Sequence, residues 1–302
     1  MKILRSHSTL CLSKSPKRKG RLKRRALSSV ISTLILTSVM LSIALLVMGF
    51  ASNMFAIQSQ SVEFDQAKNI MINFAGIIEQ VSSNQGSSGY VLFNPKAGGP
   101  SFLTNVGTMT VTLFSNSTAP STNITLISGS YNTFKYRGGY LSSVVEKSYL
   151  RGADGTITYN NNSTLGSIYV EQANGSWIVL DYARIGVLNL GIFNFSKGIN
   201  STGYLTFEMV NLIQVQYLNL TRGSFSGGGS INTVATCKNT YINYTRIPAN
   251  YSLPNYNLTV TMKLAPVGKP VNSLSLRVDL PNNYDTIVMV VSSDVEVSMF
   301  GG

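Results

Sequence analysis

Apolar and polar positions follow three successive patterns along the chain. Residues 27 to 62 carry no charge at all. Within them, residues 27–57 (LSSVISTLILTSVMLSIALLVMGFASNMFAI) exceed the ~20 apolar residues that a helix needs to cross a hydrocarbon core. At 1.5 Å per residue this run predicts a helical stretch of about 46 Å. It then turns amphipathic: Phe64, Ala67, Ile70, Met71, Phe74, Ile77, Ile78 and Val81 recur at three- and four-residue steps, which is one helical face. Glu63, Asp65, Lys68 and Glu79 fall between them and predict a wet side, and Ser82, Ser83, Asn84, Gln85 and Gly86 supply a stop. From Tyr90 onward, short β-type runs are separated by Gly, Asn, Ser and Pro. The best strands fall at 108–114, 123–127, 165–170, 177–180, 205–210, 256–264, 273–278 and 286–300, many alternating apolar with polar residues as half-buried antiparallel strands do.

These patterns predict an α+β, mainly β chain: a long N-terminal transmembrane or assembly α-helix followed by an antiparallel β-sandwich head. Three regions follow: a leader over 1–26, a hydrophobic then amphipathic helix over 27–82, and a β-rich extracellular head over 88–302. Gly223, Ser224, Ser226 and Gly229 mark residues 223–230 as either a surface loop or a joint between two head subdomains.

Charge sharpens the reading of the N-terminus. Residues 1–26 hold ten of the 24 Lys and Arg and none of the 12 acids. Of the formal charge of +12, the leader accounts for ten, so the rest of the chain is nearly neutral. A basic segment directly before a membrane-length run holds the N-terminus on the cytoplasmic side, which sets aside a nucleic-acid or nuclear-targeting reading of residues 16–25. Inside the run, Ser28, Ser29, Ser32, Thr33, Ser38 and Ser42 form small-xxx-small pairs at 28/32, 29/33 and 38/42, which let helices approach closely. The plainer alternative is a lone anchor whose hydroxyls bond back to their own helix.

Arg24-Arg25-Ala26 followed directly by Leu27-Ser28-Ser29-Val30-Ile31-Ser32-Thr33-Leu34-Ile35-Leu36 resembles the archaeal type IV pilin-like family, which includes archaeal pilins and, more distantly, archaellins. The resemblance covers about residues 20–60. It implies a class III signal peptide cut by a prepilin peptidase, with Arg24, Arg25, Ala26 and Leu27 as the processing site and Leu27 as the mature N-terminus. It further implies export through pilus assembly machinery and packing of the helix against other pilin-like subunits in a homo- or hetero-polymer, as a minor or tip subunit or as a major one. The expected helix-packing residues are Ser28, Val30, Ile31, Ser32, Leu34, Ile35, Leu41, Leu45 and Leu46. Bacterial type IV pilins carry Glu at the fifth mature position, where this chain has Ile31, so the match is to the archaeal branch. Gly49-Phe50-Ala51 offers a competing signal-peptidase site that would free a head starting at Ser52, although the preceding apolar run is longer than an ordinary signal peptide's.

The expected location is a single-pass position in the cell membrane with the head outside, and the cell surface or pilus after assembly. Eleven Asn-x-Ser/Thr sequons lie in the head: Asn116, Asn123, Asn161, Asn162, Asn174, Asn194, Asn200, Asn219, Asn243, Asn250 and Asn257. They are candidate sites of N-linked glycans, which would coat an exposed surface, although Asn161 and Asn162 overlap.

The expectation is of a protein that is not an enzyme and takes no cofactor or metal. The one histidine, His7, lies in the leader, so the processed chain has no imidazole for nucleophilic or metal chemistry. No phosphate-binding glycine loop is present: Gly268-Lys269 runs into Pro270. A carboxylate pair drawn from Asp154, Glu171, Asp181 and Glu208 is conceivable, but nothing in the sequence selects one. Two cysteines, Cys11 and Cys237, cannot make a disulfide framework, and Cys237 is expected to be a half-buried strand residue. Fourteen of the 15 tyrosines follow Tyr90, and with Trp177 they suit cross-strand pairing or a sugar-binding surface. The alternative function is therefore a membrane-anchored adhesion or solute-binding protein that does not polymerise.

Overall fold

The computed structural model describes residues 21–115, 122–144, 146–160, 164–199, 201–249, 256–280 and 284–302. One helix, α1 (Arg21–Ser82), is followed by β1 (Ser88–Phe93), β2 (Gly99–Ser115), β3 (Thr122–Arg137), β4 (Ser148–Arg151), β5 (Ile157–Tyr159), β6 (Ser167–Gln172) and β7 (Ser176–Asp181). β8 (Ile185–Ile199), β9 (Leu205–Ser226), β10 (Ile231–Ile247), β11 (Tyr256–Pro266), β12 (Asn272–Leu280) and β13 (Asp285–Gly301) complete the chain. It divides into two compact units, residues 1–55 and residues 56–302.

The second unit is mainly β. Its strands form a six-stranded sheet in the order β1-β10-β13-β9-β8-β5 and a seven-stranded sheet in the order β12-β11-β2-β3-β7-β6-β4. All pairings in the larger sheet are antiparallel. The expectation of a purely antiparallel head needs correcting in the smaller one, where β13 runs parallel to β9 and β5 parallel to β8. The reason lies in the order of the chain. β9 and β10 run in opposite directions but leave a gap one strand wide, β11 and β12 join the other sheet, and β13 then enters the gap. A strand antiparallel to β10 in that place must be parallel to β9.

The glycine-rich stretch at 223–230 is shaped by this insertion. Gly223, Ser224 and Ser226 belong to β9, and residues 227–230 pass across the end of β13 to reach β10. Gly227 has φ +100° and lies against Gly301 so closely that a Cβ would come within 2.2 Å of its Cα. Gly302 N–H donates to the Ser230 carbonyl at 2.9 Å. The segment is thus a tight crossing within one sheet, and residues 56–302 form one unit.

Two apolar clusters fill the space that both sheets border. One contains Met109, Val111 and Leu113 of β2 and Leu258, Val260 and Met262 of β11, facing Ile213, Val215, Val288 and Val290 of β9 and β13. The other is built around the C-terminal part of α1: Phe64, Ala67, Met71, Phe74, Ala75 and Ile78 pack with Phe93, Phe134, Tyr136, Ile178, Leu180, Leu218, Leu220, Val295 and Val297. The amphipathic face read from the sequence is therefore the core of this end of the head. Burying it removes on the order of 1.5–3 kcal/mol of unfavourable hydration per large side chain.

The polar side of α1 is not simply wet, which corrects the expectation for Glu63 and Glu79. The Glu63 carboxylate accepts the Tyr136 hydroxyl at 2.9 Å and the N–H groups of Ala97 and Gly98. Glu79 pairs with Arg151 and accepts Gly166 N–H at 3.2 Å. Burial pushes the Glu79 carboxyl above its ordinary range, and neither Gly166 N–H nor Arg151 brings it back. Asp65 and Lys68 pair with each other at the surface. The helix ends where the sequence places its stop. Gly86, at φ +82°, donates to the Cys237 carbonyl, and the Ser82 carbonyl accepts the Ser293 hydroxyl at 2.9 Å, so strands take up groups that a helix end leaves unpaired.

Candidate functional site

Residues 29–55 of α1 form the most distinctive surface in the first unit. Val30, Ile31, Leu34, Ile35, Leu41, Leu45 and Leu46 are each more than half exposed, and so are Met40, Ile43, Val47, Met48, Phe50 and Phe55. Successive positions 39, 40 and 41 lie about 100° apart on a helix, so this surface is apolar all round, not on a single stripe. A helix of that kind belongs in lipid or against other helices. By length and composition α1 can cross a membrane, since residues 29–55 alone rise about 40 Å.

Three hydroxyl groups in this segment bond back to their own helix. Thr33 donates to the Val30 carbonyl at 2.9 Å, Thr37 to Leu34 at 3.0 Å and Ser42 to Ser38 at 2.9 Å. Ser42 of the 38/42 pair thus spends its hydrogen bond within its own helix, as the lone-anchor alternative also expects, while both side chains stay small enough for another helix to approach closely. Gly49 has no heavy atom within 4 Å of where a Cβ would stand. Arg24, Arg25, Ala26, Leu27 and Ser28 lie in the helical backbone near the start of α1.

The sequons divide by position. Asn123, Asn174, Asn194 and Asn243 are exposed on the head. Asn257 is half-buried on β11. Asn219 is half-buried on β9 and its amide donates to Asp294 at 2.8 Å, so the nitrogen a glycan would take is already engaged. Asn116, Asn161, Asn162, Asn200 and Asn250 lie outside the described residues.

Three of the four carboxylates that the sequence could not sort come together. Asp154, Glu171 and Asp181 line one cavity of about 380 Å³, along with Lys135, Tyr149, Tyr169 and Arg184. Sequence spacing hides this because β3, the strands β4 to β7 and the links between them converge there only after the sheet has formed. Glu208 stands apart, paired with Arg246 at 2.8 Å and Lys197 at 3.5 Å. Among the described residues no group of three or more His, Cys, Asp or Glu is placed to hold a metal ion. Cys237 is fully buried on β10, not half-buried, and its Sγ lies 3.6 Å from Thr240 Oγ1. The chain matches no family model, no curated protein and no solved structure.

Proposed function

We propose that this chain is an archaeal type IV pilin-like surface subunit, which is inserted through α1, cut after Ala26, and packed by its apolar segment into a pilus or pseudopilus-like filament. The observation that carries this reading is the exposure around the whole circumference of residues 29–55, on a helix whose amphipathic continuation forms part of the head's core. Such a helix needs an apolar surround, which lipid supplies before assembly and neighbouring helices supply after it. The resemblance of residues 24–36 to the family supports the same order of events. The head, a β-sandwich in this reading, faces outward with exposed sequons. The test is to replace Ser28 and Ser32 with Leu. Membrane insertion should persist while the protein disappears from sheared surface filaments; undiminished incorporation would contradict close helix packing.

A second reading, an anchored adhesion or solute-binding protein, is favoured by the polar cavity of the head. Under that reading the same variants would leave the protein's distribution unchanged.

A further inference from the structure

The cavity of about 380 Å³ is bordered by the β3 and β6 strands, by the link between β4 and β5 and by Arg184. Arg184 is 5 % exposed, and its Nε and Nη1 atoms are buried with no hydrogen-bond partner among the described residues. Buried guanidinium donors are ordinarily matched by acceptors. Nη1 lies under Gly152, whose φ is +77° and where a Cβ would come within 2.9 Å of it. The link therefore passes close over the guanidinium because residue 152 has no side chain.

The charges around the cavity are not balanced. Lys135 is occupied by Glu171 at 3.3 Å. Asp154 accepts the Tyr149 hydroxyl at 2.8 Å, and Asp181 accepts Ala183 N–H at 2.8 Å. Burial raises the Asp181 carboxyl toward its neutral form, against the pull of Ala183 N–H, Lys135 and Arg184. Lys147, Lys269 and Arg184 have no carboxylate within 4 Å among the described residues. Four lining cations, Lys135, Lys147, Lys269 and Arg184, face three carboxylates, Asp154, Glu171 and Asp181, an excess of one positive charge, and a guanidinium is a good partner for a carboxylate.

The remaining wall is aromatic. Tyr149 and Tyr169 lie 5.6 Å apart with planes inclined by 52°, and Lys147 Nζ stands 4.4 Å from the Tyr169 ring and 5.0 Å from Tyr149. Rings of this kind offer an apolar face to sugar C–H groups and a polar edge to hydroxyls. A cavity of this volume falls in the ordinary range for small ligands. An α-amino acid would need a carboxylate for its ammonium, whereas Glu171 is paired with Lys135, Asp154 accepts the Tyr149 hydroxyl and Asp181 accepts Ala183 N–H.

We infer that this cavity is a binding site for an acidic saccharide residue, with the carboxylate of a uronic acid on Arg184 and Lys147 and its ring against Tyr149 and Tyr169. The inference does not depend on whether α1 polymerises. The test uses the full chain in detergent micelles and calorimetric titration with glucuronate, glucose, acetate and glutamate. Glucuronate should bind, with glucose and acetate each at least about tenfold weaker, a difference of about 1.4 kcal/mol. Lys147→Gln, at an exposed position where folding is not at stake, should weaken glucuronate binding about tenfold and leave the circular dichroism spectrum unchanged. Arg184→Gln, if folded by the same spectrum, should abolish binding. No glucuronate binding to folded protein, equal binding of glucose, acetate or glutamate, or no effect of Lys147→Gln would each overturn the proposal.

Discussion

Phe74 of α1 meets Phe134 of β3 with ring centroids 5.2 Å apart and planes inclined by 56°, and neither side chain has any exposed surface. The contact makes the C-terminal part of the helix a component of the head's core. Phe74→Ala removes one of the two rings, leaves a cavity beside Phe134, and should cost about 3–5 kcal/mol. Hydrogen exchange should show residues 64–81 and β3 losing protection together. Loss confined to the helix would mean that the head folds without it.

Tyr136 is 2 % exposed and donates its hydroxyl to Glu63. Burial, followed by the Glu63 hydrogen bond and charge, raises its phenol above the ordinary range, so it stays a donor at all working pH values. Tyr136→Phe leaves a half-buried carboxylate one donor short and should destabilise by about 2 kcal/mol. Urea unfolding of the two proteins checks this.

Asp285, at the start of β13, accepts Ala249 N–H at 2.8 Å and pairs with Arg246 at 2.6 Å. Burial alone would push its carboxyl up, but Ala249 N–H and Arg246 outweigh that and leave it below the ordinary value of 3.8. A depressed carboxyl adds stability that is present above its unfolded pKa and lost as pH falls through the folded one. The wild type should therefore lose this contribution below about pH 3.8. Arg246→Met also releases Glu208, whose carboxyl the same guanidinium holds below its ordinary 4.5, so it should lower Tm at neutral pH, and the two melting curves should converge as pH falls below these ordinary carboxyl values.

Cys237 is the only cysteine of a chain that begins at Leu27. Its burial among Ser82, Asn239 and Thr240 predicts no reaction with a thiol reagent in the native protein and one equivalent after denaturation. Prompt native labelling would mean that β10 opens at the helix end.

Much of this architecture is legible in local pattern. Of the predicted face, Phe64, Ala67, Met71, Phe74, Ile78 and Val81 are buried and Ile70 and Ile77, at its margins, are half-buried, and the stop at 82–86 is where α1 ends. Pattern fails where burial depends on distant partners. β8 and β10 escape notice because their Asn, Ser, Thr and Gly residues read as turns, although β8 pairs along its length with β9 and β10 with β13. β9 extends to Ser226, far past the apolar run at 205–210, because β13 lies beside it through residues 210–226. The roles of Glu63 and Glu79 escape for the same reason: helical periodicity marks them polar but cannot show that Tyr136, Gly98, Arg151 and Gly166 reach them. The cavity is still less legible, since Arg184 and Tyr149 are 35 positions apart and meet only through sheet pairing.

The central claim is processing before the apolar helix followed by assembly through it. Intact mass and N-terminal sequence, taken on protein from native membranes and from sheared surface material, test it most directly. The expected result is a chain starting at Leu27 in the sheared fraction. A start at Ser52, or an uncut chain starting at Met1, would contradict it, and a Leu27 start found only in membranes would contradict the assembly step.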